Sequence, residues 1–123
     1  MPSKRPEYDD VGVWTREDVE LALRDDVPET LCRAVIAISM HESDRRWAED
    51  LCIKLSSHRH FNVRGNAVLG FGHIVRIHGQ LDEDVVHPII AAALHDPDEY
   101  VRGQAISAAD DTAFFLGWKF HLH

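Results

Sequence analysis

Five residues, Val63-Arg64-Gly65-Asn66-Ala67, return thirty-eight positions later as Val101-Arg102-Gly103-Gln104-Ala105. The match continues with Val68 against Ile106, and with the small residues Gly70 and Ala108. A period of this length belongs to architectures in which one supersecondary unit stacks on the next, and it restricts the fold before any local reading does. Glycine inside a helix costs up to about 1 kcal/mol relative to alanine. Gly65, Gly70 and Gly72 crowd one candidate helix, so a compensating gain is needed, and close approach of neighbouring helices supplies it.

The rest of the chain reads as helices around these two copies. Residues 1–14 lack periodicity and are expected to form an extended arm. Thr15-Arg16-Glu17-Asp18 resembles a capping box opening a short helix that ends at Asp25-Asp26. Pro28 suits the first position of a second helix, which is apolar around most of its circumference through Met40 and is therefore central. Arg45 to Ser57 carries Trp47, Ala48, Leu51, Cys52 and Leu55 on one stripe, predicting an amphipathic outer helix. Asn62 is the expected N-cap of a fourth helix over 63–78, closed by Gly79. Asp82 opens a fifth helix, where Pro88 predicts a kink. A sixth helix carries the second motif to about Ala109. Asp110-Asp111-Thr112 then reads as the cap of a short seventh helix ending at Trp118, with Phe114, Phe115 and Trp118 closing the core and residues 119–123 frayed.

The segment Leu94-His95-Asp96-Pro97-Asp98-Glu99-Tyr100-Val101-Arg102-Gly103-Gln104-Ala105 resembles HEAT-like repeats, especially the short phycobilisome-lyase type. Leu55 to Leu69 is a second copy in which serine and histidine replace the turn acid. Thr30 to Ile38 is a weaker third copy, without the arginine. The resemblance implies an all-α fold: a right-handed α–α superhelix, a HEAT-like solenoid of about seven helices in about three repeats, forming a single domain over 15–118. It also implies that Arg64 and Arg102 are framework residues bonding the inter-repeat turns. Gly65, Gly70 and Gly103 are read with them as packing positions.

Composition narrows the function. The net charge is −8, distributed as −5 over residues 1–30, +3 over 31–78 and −6 over 79–123. An acidic chain repels phosphate backbones, so nucleic acid is not an expected partner, and the charge separates the chain from HEAT-like DNA glycosylases with their basic grooves. The same field attracts and steers a basic protein. No apolar run is long enough for a membrane span, and the first residues lack the apolar stretch of a secretory signal. Cys32 and Cys52 lie in apolar helical patterns without CxxC spacing and are expected to be free thiols, so the expected compartment is the cytoplasm.

Nine histidines raise a metal site as a possibility. His41-Glu42 resembles the His-Glu pairs of deoxyhypusine hydroxylase, but only one such pair is present. His58/His60 and His121/His123 are spaced for extended chain, and His73/His78 are five apart rather than four. No metal and no cofactor are expected. No nucleophile elbow, phosphate-binding loop, dinucleotide fingerprint or HExxH sequence occurs, and the acid pairs, Glu49/Asp50 among them, sit where capping and solvation explain them. A non-catalytic binding protein is expected, most concretely a small acidic bacterial immunity or inhibitor protein that masks the cationic site of a basic toxin, a nuclease for instance. A scaffold or adaptor in a larger assembly is the alternative, and a metal-dependent enzyme a distant third. The expected partner contacts are Asn66 and Gln104 on the inner helices, Tyr100, and the acids Asp82, Glu83, Asp84, Asp96, Asp98, Glu99, Asp110 and Asp111, their turns stacked along one edge.

Overall fold

A computed structural model describes residues 14–121. Six helices and no strand occur among them: α1 (Arg16–Asp25), α2 (Pro28–His41), α3 (Arg45–Leu55), α4 (Phe61–His78), α5 (Glu83–Ala93) and α6 (Glu99–Leu116). Local chemistry sets most of their ends. Thr15 and Asp18 exchange reciprocal hydrogen bonds at the start of α1 (2.9 and 3.0 Å), the two halves of a capping box. Asp44 caps α3 and Asp98 caps α6 through their carboxylates. Gly79 and Gly117, at φ 69° and 74°, close α4 and α6 in the left-handed conformation that a side chain resists.

Two helix limits differ from the sequence reading. His60, not Asn62, caps α4: its Nδ1 accepts the Asn62 amide at 3.2 Å, so the helix starts at Phe61. The seventh helix does not exist, because α6 continues to Leu116. Thr112 looked like a cap residue, yet it is fully buried and donates its hydroxyl to the Ala108 and Ala109 carbonyls at 3.0 and 3.1 Å. A threonine satisfied by the preceding turn gives the helix no reason to stop. α5 also continues through Pro88 as one element.

Helix α4 is the hub, packed against α2, α3, α5 and α6, while α1 packs on α2, α3 also touches α2, and α5 packs on α6. Phe71 on α4 is the largest fully buried side chain, and Leu31, Val35, Ile74, Ile90, Val86 and Val101 belong to the same core cluster, all at 1% exposure or less. The glycines of α4 are the points of closest approach. A Cβ on Gly65 would lie 2.7 Å from the Tyr100 ring, on Gly70 2.6 Å from the Cys52 sulfur, and on Gly72 2.5 Å from an Asp111 carboxylate oxygen. Gly103 is the exception: it is exposed, and nothing lies within 4 Å of where its Cβ would be. Its part in packing is therefore not that of Gly65, because no described element presses against it.

The expected N-terminal arm lies outside the described residues except for Trp14, which packs against the core. At the other end, Trp118 is buried, but Phe114 and Phe115 are not, at 81% and 44% exposure. The segment after α6 is packed rather than frayed as far as Phe120, whose ring stacks on His87 at 4.2 Å while His87 Nε2 meets the Lys119 carbonyl at 2.7 Å. Residues 122–123 lie outside the described region.

Candidate protein-binding surface

The outward stripe of α4 lies between α2 and α6. Asn62, Asn66, Leu69, His73 and Arg76 recur at helical spacing and are all at least partly exposed. Where α2 and α4 begin, an open groove of about 640 Å³ is lined by Pro28, Glu29, Cys32, Arg33, His60, Asn62 and Asn66. Asn66 accepts the Tyr100 hydroxyl at 2.8 Å and is also hydrogen-bonded to the Cys32 side chain in the groove. Tyr100 also meets Phe61 edge-on at 6.0 Å and covers Gly65, so much of its ring is used internally.

Toward the end of α4 the stripe carries a polar trio. Arg76 donates to Asp111 at 2.8 Å and to His73 Nδ1 at 2.5 Å. Burial, reinforced by the Arg76 charge and opposed by Asp111, lowers the His73 pKa, which suits an imidazole accepting from a guanidinium. Asp111 is thereby an internal link between α4 and α6.

The edge formed by the turns before α2, α4 and α6 is tied by longer-range pairs. Asp26, held at φ 55° after α1, accepts from His58 at 2.7 Å and from Arg59 at 2.6 Å. These hydrogen bonds hold its carboxyl below the usual range. Arg64 grips Asp96 through two bonds of 2.9 Å and donates to the His58 and Arg59 carbonyls at 3.2 Å, and the Arg64 guanidinium holds the Asp96 carboxyl low. Arg102 donates to the Asp96 carbonyl at 2.7 Å. Asp98 is occupied by the Tyr100 and Val101 amides.

The acids of the last third of the chain therefore do not form one stacked edge. Asp82, Glu83 and Asp84 begin α5 and Asp96 to Glu99 follow its end, so a helix about 16 Å long separates the groups. Asp96, Asp98 and Asp111 are committed to internal partners. Asp82, Glu83, Asp84, Glu99 and Asp110 are exposed and have no ion pair among the described residues. Gln104 is partly exposed beside Gly65.

Glu49 escaped the sequence reading, which grouped it with exposed Asp50. At 3% exposure it pairs with Arg45 and accepts the Asp82 amide at 2.8 Å, locking the start of α5 to α3. Only the Arg45-to-Glu49 spacing of four hinted at a bond. His58, His60, His73, His78 and His87 hold protein groups, His78 Nε2 meeting the Glu42 carbonyl at 3.1 Å, and no three potential metal ligands converge among the described residues. Cys32 and Cys52 are free; Cys52 is buried and Cys32 partly exposed in the groove, and burial raises both thiol pKa values. No described helix is long and apolar enough to cross a membrane.

No protein-family model matches the chain, and no curated protein is similar to it in sequence. Among solved structures, the chain is similar to one in the crystal structure of a CDI complex from Cupriavidus taiwanensis LMG 19424. The two share 23% identity and superpose with a TM-score of 0.73 over 94% of this chain and 98% of that one, which shows a common fold.

Proposed function

We propose that this chain is a non-catalytic immunity protein, which binds a toxin and blocks it. The observation that carries the reading is the end-to-end fold likeness to a chain of a CDI complex, CDI denoting contact-dependent inhibition by a toxin with a cognate immunity protein. A fold alone does not specify a function. The exposed acids add a second support, since five carboxylates without internal partners suit a cationic toxin surface. On this reading Asn66 and Gln104 supply polar contacts, Asp82, Glu83, Asp84, Glu99 and Asp110 supply charge, and Arg64, Asp96, Asp98 and Asp111 hold the platform. We read the helix pairs α1/α2, α3/α4 and α5/α6 as three HEAT-like hairpins in a right-handed array. The cytoplasm is the fitting compartment for a protein with two free thiols.

Coexpression with the product of a neighbouring toxin gene is the direct test. Growth should be restored, and the two proteins should elute as one complex. Replacing Glu83, Asp84 and Asp110 together by lysine should weaken that complex by at least about tenfold. A toxin that kills equally well with and without this chain, and forms no complex with it, overturns the proposal.

A further inference from the structure

Two joints of the array can be laid over each other. Val101-Arg102-Gly103 repeats Val63-Arg64-Gly65, so Tyr100 is the counterpart of Asn62, and Gln104 of Asn66. On α2, Cys32, Ala34 and Ala37 match Gly65, Ala67 and Gly70, so Arg33 is a further counterpart of Asn66. The contacts agree with this register. Where α6 meets α4, Gln104 Cγ lies 3.5 Å from the place of a Cβ on Gly65. Where α4 meets α2, Asn66 is hydrogen-bonded to Cys32. The two joints differ in one side chain. Tyr100 fills the joint between α4 and α6, its ring pressed on Gly65 and its hydroxyl donated to Asn66 at 2.8 Å. Asn62 is too short to fill the joint between α2 and α4, and the groove of about 640 Å³ opens there, with Asn62, Cys32 and Arg33 in its lining.

We infer that this groove receives a tyrosine side chain of the toxin, seated as Tyr100 is seated in the next joint. The inference rests on the immunity reading and names the surface which that reading uses. A cleft of this size lies within the roughly 300–1,000 Å³ of ligand pockets, room for a ring and the backbone that presents it. Glu29 and Arg33 in the lining are of opposite sign, which favours a neutral occupant over an ion. Arg33 stands where Asn66 stands in the other joint, and a guanidinium stacks on an aromatic face. The exposed Glu29 carboxylate accepts a hydroxyl. Cys32 brings a sulfur where Gly65 has no side chain, so the ring sits less deeply than Tyr100 does, against an atom that aromatic edges favour. A tyrosine also gains a large contact area with few torsions to fix, which makes it a common anchor of protein interfaces.

Titration calorimetry with the purified product of the neighbouring toxin gene tests the fit. Asn62→Tyr puts on α4 the wedge that Tyr100 provides on α6, and should weaken the complex by at least about tenfold. Cys32→Phe fills the groove from α2 and should do the same, and circular dichroism verifies that both variants are folded. Asn62→Ala widens the groove and should bind within about threefold of the parent chain. Among single tyrosine-to-alanine variants of the toxin, one should reproduce the loss, and combining it with Asn62→Tyr should add little further. A parent chain that forms no complex overturns the immunity reading and this inference with it. A parent chain that binds, while Asn62→Tyr and Cys32→Phe bind equally well, leaves that reading standing and overturns the inference alone. So does a toxin whose tyrosines can each be replaced without loss.

Discussion

At the residue scale, the repeated arginine ties turns together. Arg64 reaches both the turn before its own helix, through the His58 and Arg59 carbonyls, and the following turn, through Asp96. Arg102 makes only the first kind of hydrogen bond among the described residues, at the Asp96 carbonyl. The Arg64–Asp96 pair is mostly buried, with side chains 19% and 13% exposed, so losing one partner strands the other. Asp96→Asn should therefore cost about 1–3 kcal/mol in urea unfolding at neutral pH. The pH dependence has a definite sign. Arg64 lowers the folded-state pKa of Asp96 below 3.8, so its stabilisation is present above that value and is lost as pH falls through the lower folded-state pKa. The gap between parent and Asp96→Asn should accordingly narrow below about pH 4, a trend that stability curves over pH 2–7 would read. A gap that is constant across this range contradicts the assignment.

At the scale of the helix, one motif position has two environments. Gly65 faces the Tyr100 ring, whereas Gly103 faces open space. Gly65→Ala should lose about 1–3 kcal/mol through overpacking, and Gly103→Ala should gain about 0.5–1 kcal/mol from helix propensity. Thermal melts of the two variants, measured side by side, decide the matter: shifts of the same sign would refute the packing account. Trp118 makes a similar point about the end of the chain. It is 6% exposed and lies beside His87 at 5.6 Å, so Trp118→Ala should cost about 3–5 kcal/mol, whereas Phe114→Ala, at an 81% exposed position, should have little effect on stability. The aromatic residues near the end were visible in the sequence, but their division into plug and surface was not. That division depends on α6 continuing through Thr112, which turns Phe114 outward.

At the scale of the molecule, charge is partitioned between structure and solvent. Several acids are used in caps and pairs, and those left exposed at the start of α5 and along α6 set the field met by a partner. If a basic toxin is that partner, association should slow by about tenfold or more between about 50 and 500 mM salt, with dissociation much less affected. Stopped-flow mixing at several ionic strengths measures this directly. Salt-independent association would remove electrostatic steering from the proposal.

What the sequence determined by itself was the presence of six helices, though not that the sixth runs on through Thr112: the capping box at Thr15, the glycine stop at Gly79, the apolar α2, and the repeat that makes Val63 and Val101 equivalent. These are interactions within one or two turns, and local spacing records them. Tertiary structure alone decided which polar groups were spent in holding the array together. Arg64 finds Asp96 across 32 residues, Glu49 finds the Asp82 amide across 33, and Arg76 finds Asp111 across 35. No local pattern separates an aspartate so engaged from one left to solvent. Gly103 carries the same distinction: its motif is that of Gly65, and only the tertiary neighbours differ, the Tyr100 ring at one and open space at the other.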